Sequence, residues 1–248
     1  GPVAEKPLMG HPVALRWIAL DPDAVDLGLL QMDQARTVRD AIAVANRAGG
    51  PPNNVVLADA DGHIAWTFMG KIPVRRGFDG SVSVSWADGR TGWNGFIAPD
   101  ELPRIVDPPS GYLVSANHRM VGEEYPHVIG HAFANGYRAY RITERLRDKD
   151  RFHETDLLAL QLDTTAQVYE FYRDLVKRLL SESVIEGNPD LADVRRAVEA
   201  WEGRADSDSK GFGLLVAFRR TLAASVFAPF LQSCREQDAG FVYDGDLD

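Results

Sequence analysis

The period of the apolar positions changes twice along this chain, and each change predicts a different kind of element. Residues 13–20, VALRWIAL, form a short, nearly continuous apolar run and read as a buried strand. Asp21-Pro22 follows, pairing a capping side chain with a proline suited to a first helical turn. Val38, Ile42 and Ala45 then recur at helical spacing. Gly49-Gly50-Pro51-Pro52 ends that helix, because glycine takes the left-handed exit and proline cannot continue it. From Asn54 the period drops towards two. The stretch NNVVLADADGHIAWTFMG reads as strand, turn and strand, with Asp61-Gly62 supplying the positive φ angles of a tight turn. More turn signals stand at Phe78-Asp79-Gly80, Asp88-Gly89 and Asn94-Gly95. Pro108-Pro109-Ser110-Gly111 introduces a further predicted strand over 112–115. This half reads as antiparallel β with long loops that carry Trp86 and Trp93.

Beyond residue 122 the pattern turns helical. Thr155 is positioned to cap a helix at Asp156-Leu157-Leu158. Val168, Tyr172, Leu175, Val176 and Leu179 make an amphipathic stripe, and Gly187-Asn188-Pro189 breaks it. A helix is predicted over 191–201, a polar loop over 203–210 and a last apolar helix over 214–231. The acidic tail, 238–248, is expected to be loose. The fold class expected is therefore α+β. Residues 1–150 would form the sheets and 151–248 a helical layer of the same domain, since no linker-like segment divides them.

Composition narrows the function. The chain has 248 residues, 45% apolar and 25% charged, with a formal net charge of −9. An acidic balance argues against a nucleic-acid partner, which needs basic surface. The one cysteine, Cys234, excludes an intrachain disulfide and leaves the compartment open. No run of 18 apolar residues is present, so no membrane span is expected. The opening GPVAEKPLMGHPVALRW lacks the charged and apolar regions of an export signal and reads as the middle of something longer. A true start or an export signal is expected upstream.

Polar chemistry concentrates in residues 110–141, SGYLVSANHRMVGEEYPHVIGHAFANGYRAYR. Asn117 follows a predicted strand end. A carboxamide N–H there is a neutral donor suited to a developing oxyanion; the alternative is a turn asparagine bonding its own backbone. His127 and His131 have the i, i+4 spacing of zinc ligands, with His118 nearby. Pro126 and Gly130 weaken a helix there, so surface or hydrogen-bonded histidines are the competing reading. Arg138 and Arg141 stand where a helix begins and could orient a reacting group or make structural salt bridges. Asp59, Asp61 and Gly62 fit the start of a calcium loop, but Gly70 stands where its closing glutamate would be, and a hairpin turn explains them better. None of these groups is an evident nucleophile, which predicts part of an enzyme rather than a whole one.

Six segments in order resemble the penicillin amidase family of N-terminal-nucleophile hydrolases, which includes penicillin, cephalosporin and acyl-homoserine-lactone acylases. They are VALRWIALD (13–21), GPPNNVVLADADGHIA (50–65), GFDG (77–80), WNGFIAPDELP (93–103), PPSGYLVSAN (108–117), and Tyr125-Pro126 with GYRAYRI (136–142). The resemblance implies a segment of an αββα sandwich and hydrolysis of an amide in a penicillin-like or N-acyl substrate. It places Asn117 on the family's oxyanion asparagine and Arg138 on the arginine that orients it. Asn53, Asn54 and Leu29 fall near acyl-pocket positions. The family nucleophile is freed by self-cleavage of a zymogen, and its own amine acts as base. Gly1 has no side chain to attack with, so the nucleophile is expected upstream. The expected partners are the α chain and the N-terminal part of the β chain of the same precursor, together with a small-molecule amide. No metal or other cofactor is expected in this segment: the resemblance allows calcium in the complete enzyme, but the family's calcium ligands lie mostly upstream, and Val128 or Ile129 replaces an acidic one. A periplasmic or secreted location follows by resemblance alone. The alternatives are a non-catalytic interaction domain and a zinc hydrolase using His118, His127 and His131.

Overall fold

A computed structural model describes residues 3–8 and 10–243. Gly1 and residues 244–248 of the expected loose tail lie outside the described residues. The chain falls into two compact units, Gly1–Asp150 and Arg151–Asp248.

The first unit opens without its predicted strand. Residues 13–20 find one isolated bridge, Val3 to Ala14, and end in a 3-10 turn, Ile18–Leu20. Apolar side chains cannot make a strand without a backbone partner; Ile18 is buried, whereas Leu15, Trp17 and Leu20 are exposed. Asp21-Pro22 does cap a turn, but only the 3-10 turn Pro22–Ala24, with Asp21 accepting from Asp23 N–H. A 3-10 segment, Gly28–Gln34, precedes helix α1 (Val38–Arg47). The start of α1 is a reciprocal cap. Thr37 Oγ1 accepts from Asp40 N–H at 3.1 Å, and the Asp40 carboxylate accepts from Thr37 N–H at 3.1 Å.

The hairpin forms where the period-two pattern predicts it. Strands β1 (Asn53–Ala58) and β2 (Ile64–Met69) pair antiparallel, Val55 opposite Thr67. Strands β3 (Pro73–Arg76) and β4 (Gly92–Phe96) make a separate antiparallel pair. Strand β5 (Arg104–Val106) joins β2, giving the order β1-β2-β5. In the hairpin turn Gly62 takes φ +90°, but Asp61 stays at negative φ. Asp59 replaces the second left-handed residue as organiser: its carboxylate accepts from Asp61, His63 and Val38 N–H. The side chains alternate across this sheet. On one face Leu57, Ala65 and Val106 pack with Val38 and Ile42 of α1. On the other, Trp66 and Phe68 pack with Ile72, Ile97 and Leu102. Trp66 is fully buried, with its ring edge-on to Phe68 at 5.1 Å. Truncating such a residue costs about 3–5 kcal/mol.

The segment 112–115 is not a strand. It has no ladder partner among the described residues, although Leu113 packs against the Trp66 cluster. Helix α2 (Tyr137–Arg147) closes the unit.

The second unit is helical: α3 (Glu154–Gln161), α4 (Val168–Leu179), α5 (Glu182–Gly187), α6 (Leu191–Glu199) and α7 (Lys210–Gln237). Helix α3 starts two residues earlier than Thr155 implies, with His153 as its N-cap, because the Asp156 carboxylate reaches back to His153 N–H at 3.0 Å. Val176, Val198, Trp201 and Leu215 form the core between α4, α6 and α7. Gly211 permits the α6–α7 approach, since a Cβ there would overlap Ala197 O.

Helix α7 is longer than predicted. Ser209 caps it through Phe212 N–H, and it runs on beyond the packed core. By length and composition alone it could cross a membrane, and Val226, Phe227 and Phe230 on its distal half are exposed. Its uncharged stretch, 221–234, spans about 21 Å at 1.5 Å per residue. That falls short of the ~30 Å hydrocarbon core of a bilayer. Arg219 and Arg220 end the stretch on one side, and the proximal half is packed in the helical core.

Candidate active site

Residue 117 requires a left-handed backbone: its φ is +62°. Asparagine tolerates that region where most side chains do not. The bend lets Ala134 N–H reach the Asn117 carbonyl at 2.9 Å, fixing the segment to the loop before α2. Gly136 leads into α2, and Arg138 lies in its first turn. One guanidinium nitrogen, Nη2, donates to Ala116 O at 2.8 Å and to Asn117 Oδ1 at 2.9 Å.

The chemistry of that pair decides which way the amide faces. A guanidinium is a donor only, so the Asn117 atom against it must be the oxygen. The amide –NH2 is then turned away from Arg138, and Nδ2 donates to no acceptor among the described residues. The result is a carboxamide held by its oxygen with its donor presented outward, on a residue that is exposed. The far end of α2 is tied to the same segment, with Arg147 Nε donating to Tyr112 Oη at 3.2 Å. Helix α2 therefore braces 112–117 at both ends. Neither Ala134 nor Arg147 could be found from the sequence. One acts through its backbone, and the other gains its role by lying near Tyr112 in space.

The loops around the pair are pinned separately. Arg75 Nη1 donates to Val128 O at 2.7 Å, and burial pushes that guanidinium below its ordinary value. Tyr125 Oη donates to Glu101 O at 2.9 Å, and burial raises that phenol. The Asp79 carboxyl lies below its usual range, first because the Ser81 hydroxyl bonds it.

The three imidazoles do not converge. His118 Nδ1 accepts weakly from Ala116 N–H at 3.4 Å, His127 faces Glu101 at 3.6 Å, and His131 faces Asp79 at 3.7 Å. Among the described residues no group of three His, Cys, Asp or Glu side chains is placed to hold a metal.

The three expected pocket residues are placed as follows. Asn53 Nδ2 donates to Pro51 O at 2.9 Å, and Asn54 Oδ1 accepts from Trp66 Nε1 at 2.9 Å. Both amides are engaged within the hairpin region. Leu29 lies in the 3-10 segment and is 39% exposed. No hydrogen bond joins any of the three to Asn117 or Arg138 among the described residues.

The thermostable penicillin G acylase from Alcaligenes faecalis superposes with a TM-score of 0.56 at 20% identity, over 73% of this chain and 32% of that one. The shared fold is that of an N-terminal-nucleophile hydrolase. The penicillin amidase family pattern matches residues 1–245, and the chain belongs to that family. It is 31% identical over 230 residues to penicillin acylase 2 proenzyme of Pseudomonas sp. strain SE83, covering 92% of this chain and 29% of that protein. It is 29% identical over 219 residues to the acyl-homoserine lactone acylase QuiP of Pseudomonas aeruginosa, covering 87% of this chain and 24% of that protein. The chain thus spans less than a third of the length of these relatives.

Proposed function

We propose that this chain is one part of an acylase that hydrolyses the amide of an N-acyl or penicillin-like substrate. Asn117 Nδ2 donates to the oxyanion of the tetrahedral intermediate, and Arg138 holds the amide so that Nδ2 faces that oxygen. The nucleophile and its base come from the rest of the precursor. Support comes from family membership, from the names of the relatives, and above all from the Arg138 Nη2 to Asn117 Oδ1 bond at 2.9 Å. That bond sets the one amide orientation an oxyanion donor needs.

The test is hydrolysis of chromogenic phenylacetyl and long-chain acyl amides by the complete polypeptide and by these 248 residues alone. Turnover is expected from the first and none above blank from the second. In the complete enzyme, Arg138→Ala frees the Asn117 amide to rotate and is expected to lower kcat roughly tenfold, about 1.4 kcal/mol. Unchanged kcat would remove Arg138 from this role.

A further inference from the structure

We propose that Asn135-Gly136 is a self-modification site: the Gly136 backbone nitrogen displaces ammonia from the Asn135 side chain, and water then leaves isoaspartate where α2 is tied to Asn117. This rests on the reading of the site as that of an amide hydrolase, which must admit water. The Gly136 nitrogen, having lost its proton, attacks Asn135 Cγ. A C–N bond forms and closes a succinimide ring. The Cγ–Nδ2 bond breaks, and Nδ2 leaves as ammonia, taking back through solvent the proton that Gly136 gave up. Water then adds to either ring carbonyl and breaks its bond to nitrogen. Opening at the side-chain carbonyl gives aspartate. Opening at the main-chain carbonyl gives isoaspartate, with the chain running on through Cγ.

The geometry favours the first step. Asn135 Oδ1 accepts from Tyr137 N–H at 3.4 Å, which folds the carboxamide back over the intervening Gly136 peptide. Gly136 N–H donates to no acceptor among the described residues, and both residues are exposed. Gly136 has φ −76° and ψ −1°, a conformation any residue adopts, and a Cβ there would meet nothing within 4 Å. Neither backbone nor packing calls for glycine at 136, yet its missing Cβ leaves the nitrogen open to attack. The chain has one other Asn-Gly step, Asn94-Gly95. It lies within β4, where Gly95 takes φ +73° and the backbone itself requires glycine.

Position 135 lies between two fixed points. On one side Ala134 N–H holds the Asn117 carbonyl at 2.9 Å; on the other Gly136 O accepts from Tyr140 N–H at 2.8 Å and starts the helix that carries Arg138. Isoaspartate puts one more carbon, about 1.5 Å of main chain, between them. The bond from Arg138 Nη2 to Asn117 Oδ1 is 2.9 Å long, and such a bond has only a few tenths of an ångström to give. The longer chain therefore releases the Asn117 amide. Aspartate keeps the chain length, and its carboxylate at the start of α2 suits the helix dipole. Loss of function should follow isoaspartate, not aspartate.

The test holds the complete mature protein in mildly alkaline buffer and samples it over days. Cleavage after arginine and lysine releases residues 120–138 and 91–104, in which Asn135 and Asn94 are the only carboxamides, so mass reads each site by itself. Methylation by an isoaspartyl methyltransferase reads isoaspartate. Residues 120–138 are expected to gain isoaspartate before residues 91–104, acyl-amide turnover to fall in proportion, and the Ala134 amide to exchange faster in the modified fraction. Gly136→Ala is expected to start with unchanged turnover and to slow both isoaspartate formation and the loss of turnover roughly tenfold. Asn135 still intact once Asn94 has converted overturns the proposal. So does full conversion with unchanged turnover, or a Gly136→Ala protein that loses turnover as fast as wild type. If the complete protein cleaves no acyl amide, the function reading fails, and Ala134 exchange against isoaspartate content decides the modification by itself.

Discussion

Asn117 combines two demands, a left-handed backbone and a presented amide, and substitutions can separate them. Asn117→Ala removes the amide and places a Cβ residue of ordinary type at φ +62°. The left-handed region costs such a residue about 1 kcal/mol. Asn117→Gly removes the same amide and keeps a backbone that glycine adopts freely. In the complete enzyme both variants are expected to lose acylation rate by roughly 10²–10³, about 3–4 kcal/mol, because the donor is gone in each. Their local stability should differ. The Ala134 amide reports it directly, since it bonds the Asn117 carbonyl at 2.9 Å. A cost of about 1 kcal/mol corresponds to a roughly fivefold change in a local opening equilibrium. Exchange at Ala134 should therefore be about fivefold faster in Asn117→Ala than in Asn117→Gly. Maturation is checked by mass before rates are compared, since self-cleavage could share the oxyanion site. Turnover of Asn117→Gly within a few-fold of wild type would refute the oxyanion role. Equal exchange in the two variants would refute the backbone argument.

Two further outcomes follow from the geometry. The clasp of His63 Nδ1 on Asp107 Oδ2, 2.8 Å apart, raises the imidazole above its ordinary 6.5, chiefly through that hydrogen bond. Asp107 is lowered below its ordinary 3.8, first by Ile64 N–H and then by His63. The histidine's contribution is full below pH 6.5 and fades as pH rises through its raised value, whereas the aspartate's is lost as pH falls below about 3.8. Protection of the Ile64 amide should therefore decline on the alkaline side, and His63→Gln should flatten that limb; a pH-independent wild type would contradict the clasp. Gly211→Ala would drive a Cβ into Ala197 O and to 2.9 Å from Trp201 Cβ. It is expected to destabilise the α6–α7 packing by about 1–3 kcal/mol, seen as a lower denaturation midpoint, and an unchanged midpoint would mean that the helices separate freely.

Much was legible in the sequence where the signal is local. Helix α1 declared itself through Val38, Ile42 and Ala45 and the glycine-proline run that follows it, while its reciprocal cap at Thr37 emerged only in the structure. The β1–β2 hairpin followed from its alternation and Gly62, and the stripe of α4 from its apolar spacing. These are set by neighbours three or four residues away, or by a turn that one glycine permits, so no distant partner is needed to read them. The ordered segments from 13 to 142 were enough to point to the family.

What failed depended on distant partners. Residues 13–20 and 112–115 have the apolar content of strands, but a strand exists only where another backbone accepts its hydrogen bonds, and none is paired along them beyond the Val3–Ala14 bridge. The N-cap of α3 moved from Thr155 to His153 because the Asp156 carboxylate bonds His153 N–H. The candidate site shows the same division. The sequence by itself determined that an asparagine and an arginine stand 21 residues apart. Only the tertiary structure decided that α2 lays Arg138 against Ala116 O and Asn117 Oδ1, turning one amide outward. That orientation is a property of two segments meeting in space, and no spacing along a chain encodes which face of an amide a guanidinium will hold.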